Sequence, residues 1–264
     1  MPVQFTILGS GSCGNSAYLE TAQTRLLIDA GFSARQIRRR LEGLGRSPET
    51  LDALLITHEH TDHTRALGVL CPRLQIPIYA NRFTREAIAS QVDSDFPCRV
   101  FATGSTFEIG DIVVESFTVP HDAQDPVGFL LRTPAGNIGY VTDLGHVTHL
   151  VLERLRSARV LILEANHDVV LLQNDLRRPW STKQRILSRH GHLSNETAAE
   201  AASQIASADL QHLYLAHLSR DCNRPELALR VMQEKLAGIG ATHIHIEVTC
   251  QDTPTPTLAL EDRP

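Results

Sequence analysis

Apolar residues recur along this chain in short runs, most of them closed by glycine, proline or a polar turn. That is the pattern of strands buried on both faces, not of long amphipathic helices. Residues 3–8 form the first run and lead into Gly9-Ser10-Gly11-Ser12-Cys13-Gly14-Asn15, a glycine-rich turn. Residues 17–20 and 25–29 read as two further strands, and Ser33 as the N-cap of a helix that closes near Gly43 and Gly45. A strand at 51–56, a helix at 64–70, a strand at 76–80 and a helix at 82–91 follow. The pattern then turns to β over 99–102, 106–109 and 112–119, and 127–133 with 137–142 make a hairpin around Pro134-Ala135-Gly136. Beyond it the spacing predicts a helix at 147–156, a strand at 159–163 and helices at 168–174, 182–189 and 195–207. A strand at 213–216, a helix at 225–236 and a strand at 243–248 complete the order.

Neither a repeat nor a linker interrupts this series, so residues 1–250 are expected to form one α/β domain. Residues 251–264, with their threonine-proline steps, are expected to be a loose tail. Two sheets face to face with helices outside fit the pattern, and so does a single doubly wound sheet. The 264 residues suffice for a sizeable core, and the formal charge of −5 argues against a protein held on nucleic acid by bulk electrostatics. A local phosphate site is still compatible with that charge. The five cysteines (13, 71, 98, 222 and 250) contain no CxxC pair and read as reduced thiols of a cytoplasmic protein. Residues 1–14 lack the features of a secretory signal, and no run of eighteen apolar residues reads as a membrane span.

Thirteen histidines change the picture, because of where they sit. Four potential metal ligands fall within six residues in His58-Glu59-His60-Thr61-Asp62-His63, directly after a buried strand. Imidazole and carboxylate together suit a site that holds two ions side by side. The spacing is not that of a zincin, which needs a histidine where Asp62 stands. Further ligands occur at other strand ends: Asp29, His121, Asp143 and His217. Ionisable residues gathered at strand ends are how an α/β scaffold builds a site on one edge.

His58-Glu59-His60-Thr61-Asp62-His63 resembles the HxHxDH signature of the metallo-β-lactamase superfamily, and the later strand-end residues follow in that superfamily's order. The resemblance covers nearly the whole chain and implies an αββα sandwich. It further implies that His58, His60 and His121 hold one divalent ion and Asp62, His63 and His217 a second, with Asp143 bridging. By the same resemblance Asp29 stands behind the ligands and orients the histidine loop. A bridging aspartate is the pattern of the superfamily's hydroxyl-and-phosphodiester hydrolases, not of its β-lactamases. Two such ions (Zn2+, Mn2+ or Fe2+) would lower the pKa of a shared water to give a bridging hydroxide, with Asp62 as a further proton acceptor.

Three more segments narrow the substrate. Residues 120–129, Glu164-Ala165-Asn166-His167-Asp168 and Gly191-His192-Leu193-Ser194-Asn195 resemble the YycJ/WalJ-like group, linked to degradation of DNA 5′ ends. Glu164 and His192 are also similar to a glutamate and histidine that ribonuclease Z places opposite its metals. That implies His192 as the group that touches the scissile phosphate or protonates the leaving oxygen, with Glu164 setting its charge. Asn166 and His167 are then expected to contact a neighbouring phosphate, although His167 also reads as an ordinary surface residue at a helix start. Arg177, Arg178, Lys183, Arg185 and Arg189 read either as phosphate contacts or as a solvated helix face. Trp180 reads as a core residue before it reads as a base-stacking one. The 73 residues between Asp143 and His217 leave no room for the domain that β-CASP nucleases insert there.

The expectation is thus a metal-dependent phosphodiesterase, a 5′-to-3′ exonuclease on nucleic acid, DNA before RNA, with catalytic Asp62, His192 and Glu164. A small-molecule phosphodiesterase or thioester hydrolase is the alternative enzyme. A metal-binding regulator is the non-enzymatic one, and the intact ligand set speaks against it.

Overall fold

The chain folds as two stacked sheets with helices on both outer faces, in a computed structural model that describes residues 2–89 and 97–261. The first sheet takes β1 (Val3–Gly9), β2 (Ser16–Glu20), β3 (Arg25–Ile28), β4 (Ala53–Leu55), β5 (Ile78–Asn81) and β6 (Cys98–Phe101) in chain order. Strands β1 to β3 run antiparallel, and β3 to β6 run parallel. The second sheet is built from β7 (Thr106–Ile109), β8 (Ile112–Thr118), β9 (Val127–Thr133), β10 (Gly136–Val141), β11 (Ala158–Glu164), β12 (His212–Ala216) and β13 (His245–Val248), likewise neighbours in order. Its first four strands are an antiparallel meander, and β10 to β13 are parallel.

Period-two alternation explains the layering. In β3, Leu26 and Ile28 face the opposite sheet, while Leu27 faces outward onto helices. In β11, Val160 and Ile162 face inward and Leu161 and Leu163 outward. Both faces of these strands are therefore apolar, as a strand covered on both sides requires. Helices α1 (Ala34–Gly43) and α3 (Leu67–Leu74) cover the first sheet. Helices α5 (His149–Leu155), α8 (Asn195–Ile205) and α9 (Pro225–Gly238) cover the second. The αββα arrangement thus holds, and the single doubly wound sheet does not.

Two expectations need correction. The helix after the histidine segment starts earlier than residue 64, as the short α2 (Thr61–Thr64), with His60 in its N-cap position. Asp62 and His63 therefore stand on a helical turn. Helix α4 (Arg82–Ala89) begins as expected, and the last two residues of the range 82–91 lie outside the described residues.

The larger correction concerns the tail. Residues 251–261 are not loose, because Leu258–Leu260 form a final strand, β14, antiparallel to β1 with Val3 opposite Leu260. Leu260 is buried in the inter-sheet core. Thr255 exchanges hydrogen bonds with Ile7 at 2.9 and 3.1 Å. The Gln251 amide caps the glycine-rich turn, accepting from Cys13 N at 2.9 Å and donating to Gly14 O at 2.7 Å. Arg40 of α1 clamps the same region, donating to the carbonyls of Leu8 and Gln251 while lying over the Phe32 ring. A three-residue strand flanked by threonine-proline steps is too short to show a period.

Leu260→Ala should lower stability by about 2–4 kcal/mol, the cost of emptying a buried leucine site. Urea unfolding followed by circular dichroism measures this, and an unchanged midpoint would mean that the strand is not held in solution.

Candidate metal centre

Strand ends from both sheets converge on one edge. Asp29 follows β3, the histidine segment follows β4, His121 follows β8, Asp143 follows β10, Glu164 ends β11 and His217 follows β12. Three of these residues leave their strands in the left-handed region, at φ 56° for Asp29, 57° for Asp143 and 57° for His217. Non-glycine residues adopt that conformation at a cost of order 1 kcal/mol each, and they collect where geometry matters more than ease. The reversal turns each side chain from the strand axis into the space between the sheets' edges.

Two adjoining groups of ligand atoms result, and a third, of Asp143, Glu164, His192 and His217, overlaps the second. His58, His60 and His121 form one, and Asp62, His63, Asp143 and His217 the other, with the atoms of each group within 4.8 Å of one another. Asp143 lies between them: one carboxylate oxygen is 3.1 Å from His63 Nε2, and the other is 3.5 Å from His217 Nε2 and 3.8 Å from His121 Nε2. Asp62 reaches across to the same two imidazoles, 3.5 Å from His63 Nε2 and 3.4 Å from His217 Nε2.

Four of the five histidines are anchored through Nδ1, which aims Nε2 at the centre. His63 Nδ1 meets Asp29 at 2.8 Å, and His58 Nδ1 meets the Thr57 hydroxyl at 3.0 Å. Thr57 in turn donates to Asp29. His121 Nδ1 meets the Gly191 carbonyl at 3.0 Å, and His217 Nδ1 meets Glu164 at 2.9 Å. An acceptor behind each ring holds the proton on Nδ1 and leaves the Nε2 lone pair for a ligand in front, as metal-binding histidines require. Nε2 of His58 and Nε2 of His121 are buried without a hydrogen-bond partner. Buried polar atoms left unpaired are costly, so their convergence fits a cation.

Charge points the same way. Burial opposes protonation of His58 and His121 and pulls both below the ordinary histidine value, so these two rings are neutral donors. In the other group burial also opposes charge on His63, yet Asp143, Asp29 and Asp62 raise it well above that value. His217 is raised likewise against burial, by Asp143, Asp62 and Glu164. Protons on these imidazoles stand in for the positive charge that the carboxylates demand. A divalent cation would supply it directly.

Behind the ligands lie residues that local sequence did not single out. Asn15 is fully buried; its carbonyl oxygen accepts from Ser10 Oγ at 2.8 Å and Gly11 N at 2.9 Å, which turns its amide nitrogen toward Asp62, 3.3 Å away. Its backbone donates to the Asp62 carbonyl at 2.8 Å, and Ser10 Oγ accepts from His217 N at 2.9 Å. The glycine-rich turn is therefore the brace of the ligand loops, and its composition was the available signal. Gly31 is required here, since a Cβ on it would sit 1.6 Å from the Asp62 carbonyl oxygen.

His192 stands at the open side of the centre, its Nδ1 2.7 Å from Glu164. Burial disfavours its charge, but the Glu164 carboxylate outweighs that and raises its pKa. Glu164 is itself held down to about 2, against its burial, by His192 and His217. Glu164 thus serves two histidines, where sequence reading assigned it only His192. Its second oxygen accepts from the backbone of Leu144 at 3.1 Å and Leu193 at 3.0 Å.

Asn166 and His167, read from the sequence as phosphate contacts, are both buried. Asn166 is buried and donates to the His217 carbonyl at 2.8 Å, so it holds the ligand strand in place. His167 is buried with neither ring nitrogen paired, and burial lowers its pKa to about 4, which keeps the imidazole neutral. The basic segment is also mostly engaged within the protein. Arg177 and Arg178 pair with Asp175 and Asp221, Lys183 is buried on the Gln173 carbonyl, and Arg185 pairs with Asp122 at 2.7 Å. Arg189 has no ion pair among the described residues. Trp180, read as a core residue, is 60% exposed.

A family model described as a β-lactamase superfamily domain matches residues 24–218. The chain is 40% identical to the exodeoxyribonuclease WalJ of Streptococcus pneumoniae serotype 2 (strain D39 / NCTC 7466), over 97% of this chain and 98% of that one. It is 38% identical to the exodeoxyribonuclease YycJ of Bacillus anthracis, over 93% and 95%. The crystal structure of the metallo-β-lactamase fold protein YhfI from Bacillus subtilis superposes with a TM-score of 0.71 at 15% identity, covering 97% of this chain and 99% of that one. The match over residues 24–218 shows that the chain belongs to the β-lactamase superfamily, and its paired sheets with the histidine loop and strand-end ligands on one edge have the metallo-β-lactamase fold.

Proposed function

We propose that this protein is a dinuclear metal-dependent phosphodiesterase that degrades DNA from its 5′ end toward the 3′ end. The observation that carries the reading is the placement of His192, backed by Glu164, beside two adjoining ligand groups, with Asp143 of the second 3.8 Å from His121 of the first. Near end-to-end similarity to two exodeoxyribonucleases supports DNA as the polymer. No helix among the described residues is long and apolar enough to cross a membrane, and all five cysteines are free, which suits a cytoplasmic setting.

In this reading His58, His60 and His121 would hold one ion and Asp62, His63, Asp143 and His217 the other. Mixed nitrogen and oxygen donors suit zinc, manganese or ferrous iron. When bound, two such ions acidify water and offset the charge of the phosphodiester. The chain's own residues do the rest. Asp62, partly exposed, is placed to accept the proton of the attacking water. His192 donates from Nε2 to the leaving oxygen while Nδ1 stays hydrogen-bonded to Glu164, which favours the protonated imidazole before transfer. Asp29, Thr57 and Asn15 keep the ligand rings and the Asp62 carboxylate fixed, so little reorganisation accompanies the reaction.

Metal-loaded protein should shorten 5′-phosphorylated single-stranded DNA from that end, and a chelator should stop it. Hydrolysis of bis-p-nitrophenyl phosphate with no attack on any oligonucleotide would sink the nuclease reading. His192→Ala should lower kcat/KM on DNA about 100- to 10,000-fold, because an alkoxide leaves poorly without an acid. The same variant should lose less than tenfold on the p-nitrophenyl ester, whose leaving group needs no proton, and should keep its metal. Asp29→Ala should weaken metal affinity about 10- to 100-fold in equilibrium dialysis.

A further inference from the structure

Two helices set out from the ligand edge side by side. Helix α1 follows the strand end that bears Asp29, and α3 follows the segment that bears His58, His60, Asp62 and His63. Their approaches are joined: Ala30 N donates to the His63 carbonyl at 2.7 Å, and Ala66 N donates to the Ala30 carbonyl at 2.9 Å. Because β3 and β4 are parallel, both helices start at that edge and run back along the outer face of the first sheet.

Between them lies a groove of about 320 Å³. Ala34, Arg35 and Arg38 line it from the first two turns of α1, and Val69, Leu70 and Arg73 from those of α3. Arginines thus stand on both walls, and none of the lining residues is acidic. Arg38 is engaged with Glu49, and with Glu42 at 3.9 Å. Arg35 and Arg73 are exposed and make no ion pair among the described residues; the same holds for Arg65, which caps the helical turn of the ligand loop. The contrast with residues 177–185 is direct, since Arg177, Arg178 and Arg185 there are neutralised by Asp175, Asp221 and Asp122. A chain of formal charge −5 therefore keeps a local excess of positive charge in this groove.

We infer, resting on the nuclease reading above, that the groove between α1 and α3 binds the sugar-phosphate backbone of the DNA beyond the reacting phosphate, with Arg35 and Arg73 on its phosphates. A polyanion needs cations along its course, and guanidinium groups on two facing walls meet phosphates whatever the bases are. Contacts of this kind position a strand without reading its sequence, as an exonuclease that passes over every sequence requires. Val69, 57% exposed between the arginines, offers a sugar an apolar contact. An anionic membrane would also attract the arginines, but it calls for an apolar face much larger than one valine. The groove also starts at the edge where the ligands gather, which favours the substrate over an unrelated acidic partner.

The double variant Arg35→Ala/Arg73→Ala, at two exposed positions, tests this. Its KM on a single strand of about 30 nucleotides should rise about tenfold with kcat little changed, whereas a strand of about 4 nucleotides should be cut as by the wild type. Hydrolysis of bis-p-nitrophenyl phosphate, which reaches only the centre, should be unaltered. The slope of log KM against log salt on the long strand should fall by about 1 to 1.5, the loss of two phosphate contacts. Arg35→Lys/Arg73→Lys should restore most of that slope, and Arg35→Glu/Arg73→Glu should raise KM further. An unchanged slope and KM on the long strand, or an equal loss on the small ester, would overturn the groove while leaving the nuclease reading intact. Loss of binding to phosphatidylserine vesicles with the long-strand KM unchanged would overturn it in favour of a membrane. Failure of the wild-type protein on every oligonucleotide, with the small ester still hydrolysed, would overturn both.

Discussion

A carboxylate withdrawn from water has to be matched by hydrogen bonds or by positive charge, and this fold buries Asp29, Asp143 and Glu164 along a single edge. Asp62 adds a fourth acidic group there, only partly covered. Much of the surrounding architecture answers that demand. Asp29 and Glu164 are met by the Nδ1 protons of histidines and by backbone amides, so they end as orienting groups. Among the described residues, Asp143 and Asp62 are met by imidazole nitrogens and the Asn15 amide and by no backbone amide, and that is where a divalent ion fits. One electrostatic requirement thus divides the acidic residues into supports and ligands.

Meeting the requirement takes contributions from distant parts of the chain. The first sheet delivers the histidine segment and Asp29, and the second delivers His121, Asp143, Glu164 and His217. The turn between β1 and β2 locks them together, with Ser10 on one sheet's ligand and Asn15 on the other's. That turn is in its own right held by Gln251, well beyond the last ligand in sequence. The centre is accordingly a property of the packed sandwich and not of the histidine loop alone.

How much of this could be read in advance follows from what is local. Runs such as 127–133 and 137–142 declare a hairpin because turn residues and apolar alternation sit within a few residues. The ligands were legible because each follows a strand directly, and the fold makes strand ends neighbours. Burial was not legible for Asn166 and His167: nothing in Glu164-Ala165-Asn166-His167 indicates that the chain there runs beneath the site. Trp180 misled in the opposite direction, since a lone tryptophan usually packs inside, and here it stands on a short exposed helix. The arginines near it looked available because Asp122 and Asp221, which neutralise most of them, are far off in sequence. Asn15 escaped notice since a glycine-rich turn reads as a connector until its partners are known.

The left-handed backbone at Asp29, Asp143 and His217 has a consequence for the protein's history. Glycine or asparagine would rest more comfortably at each of these positions. Drift under selection for stability alone would therefore favour their replacement, since stabilising changes at such sites are easily found and cost function. The scaffold could survive that drift intact, because the strands and the three apolar clusters need none of these side chains. A descendant with glycine or asparagine at positions 29, 143 and 217 would be recognisable as a relic, a sandwich that had exchanged its chemistry for ease of folding.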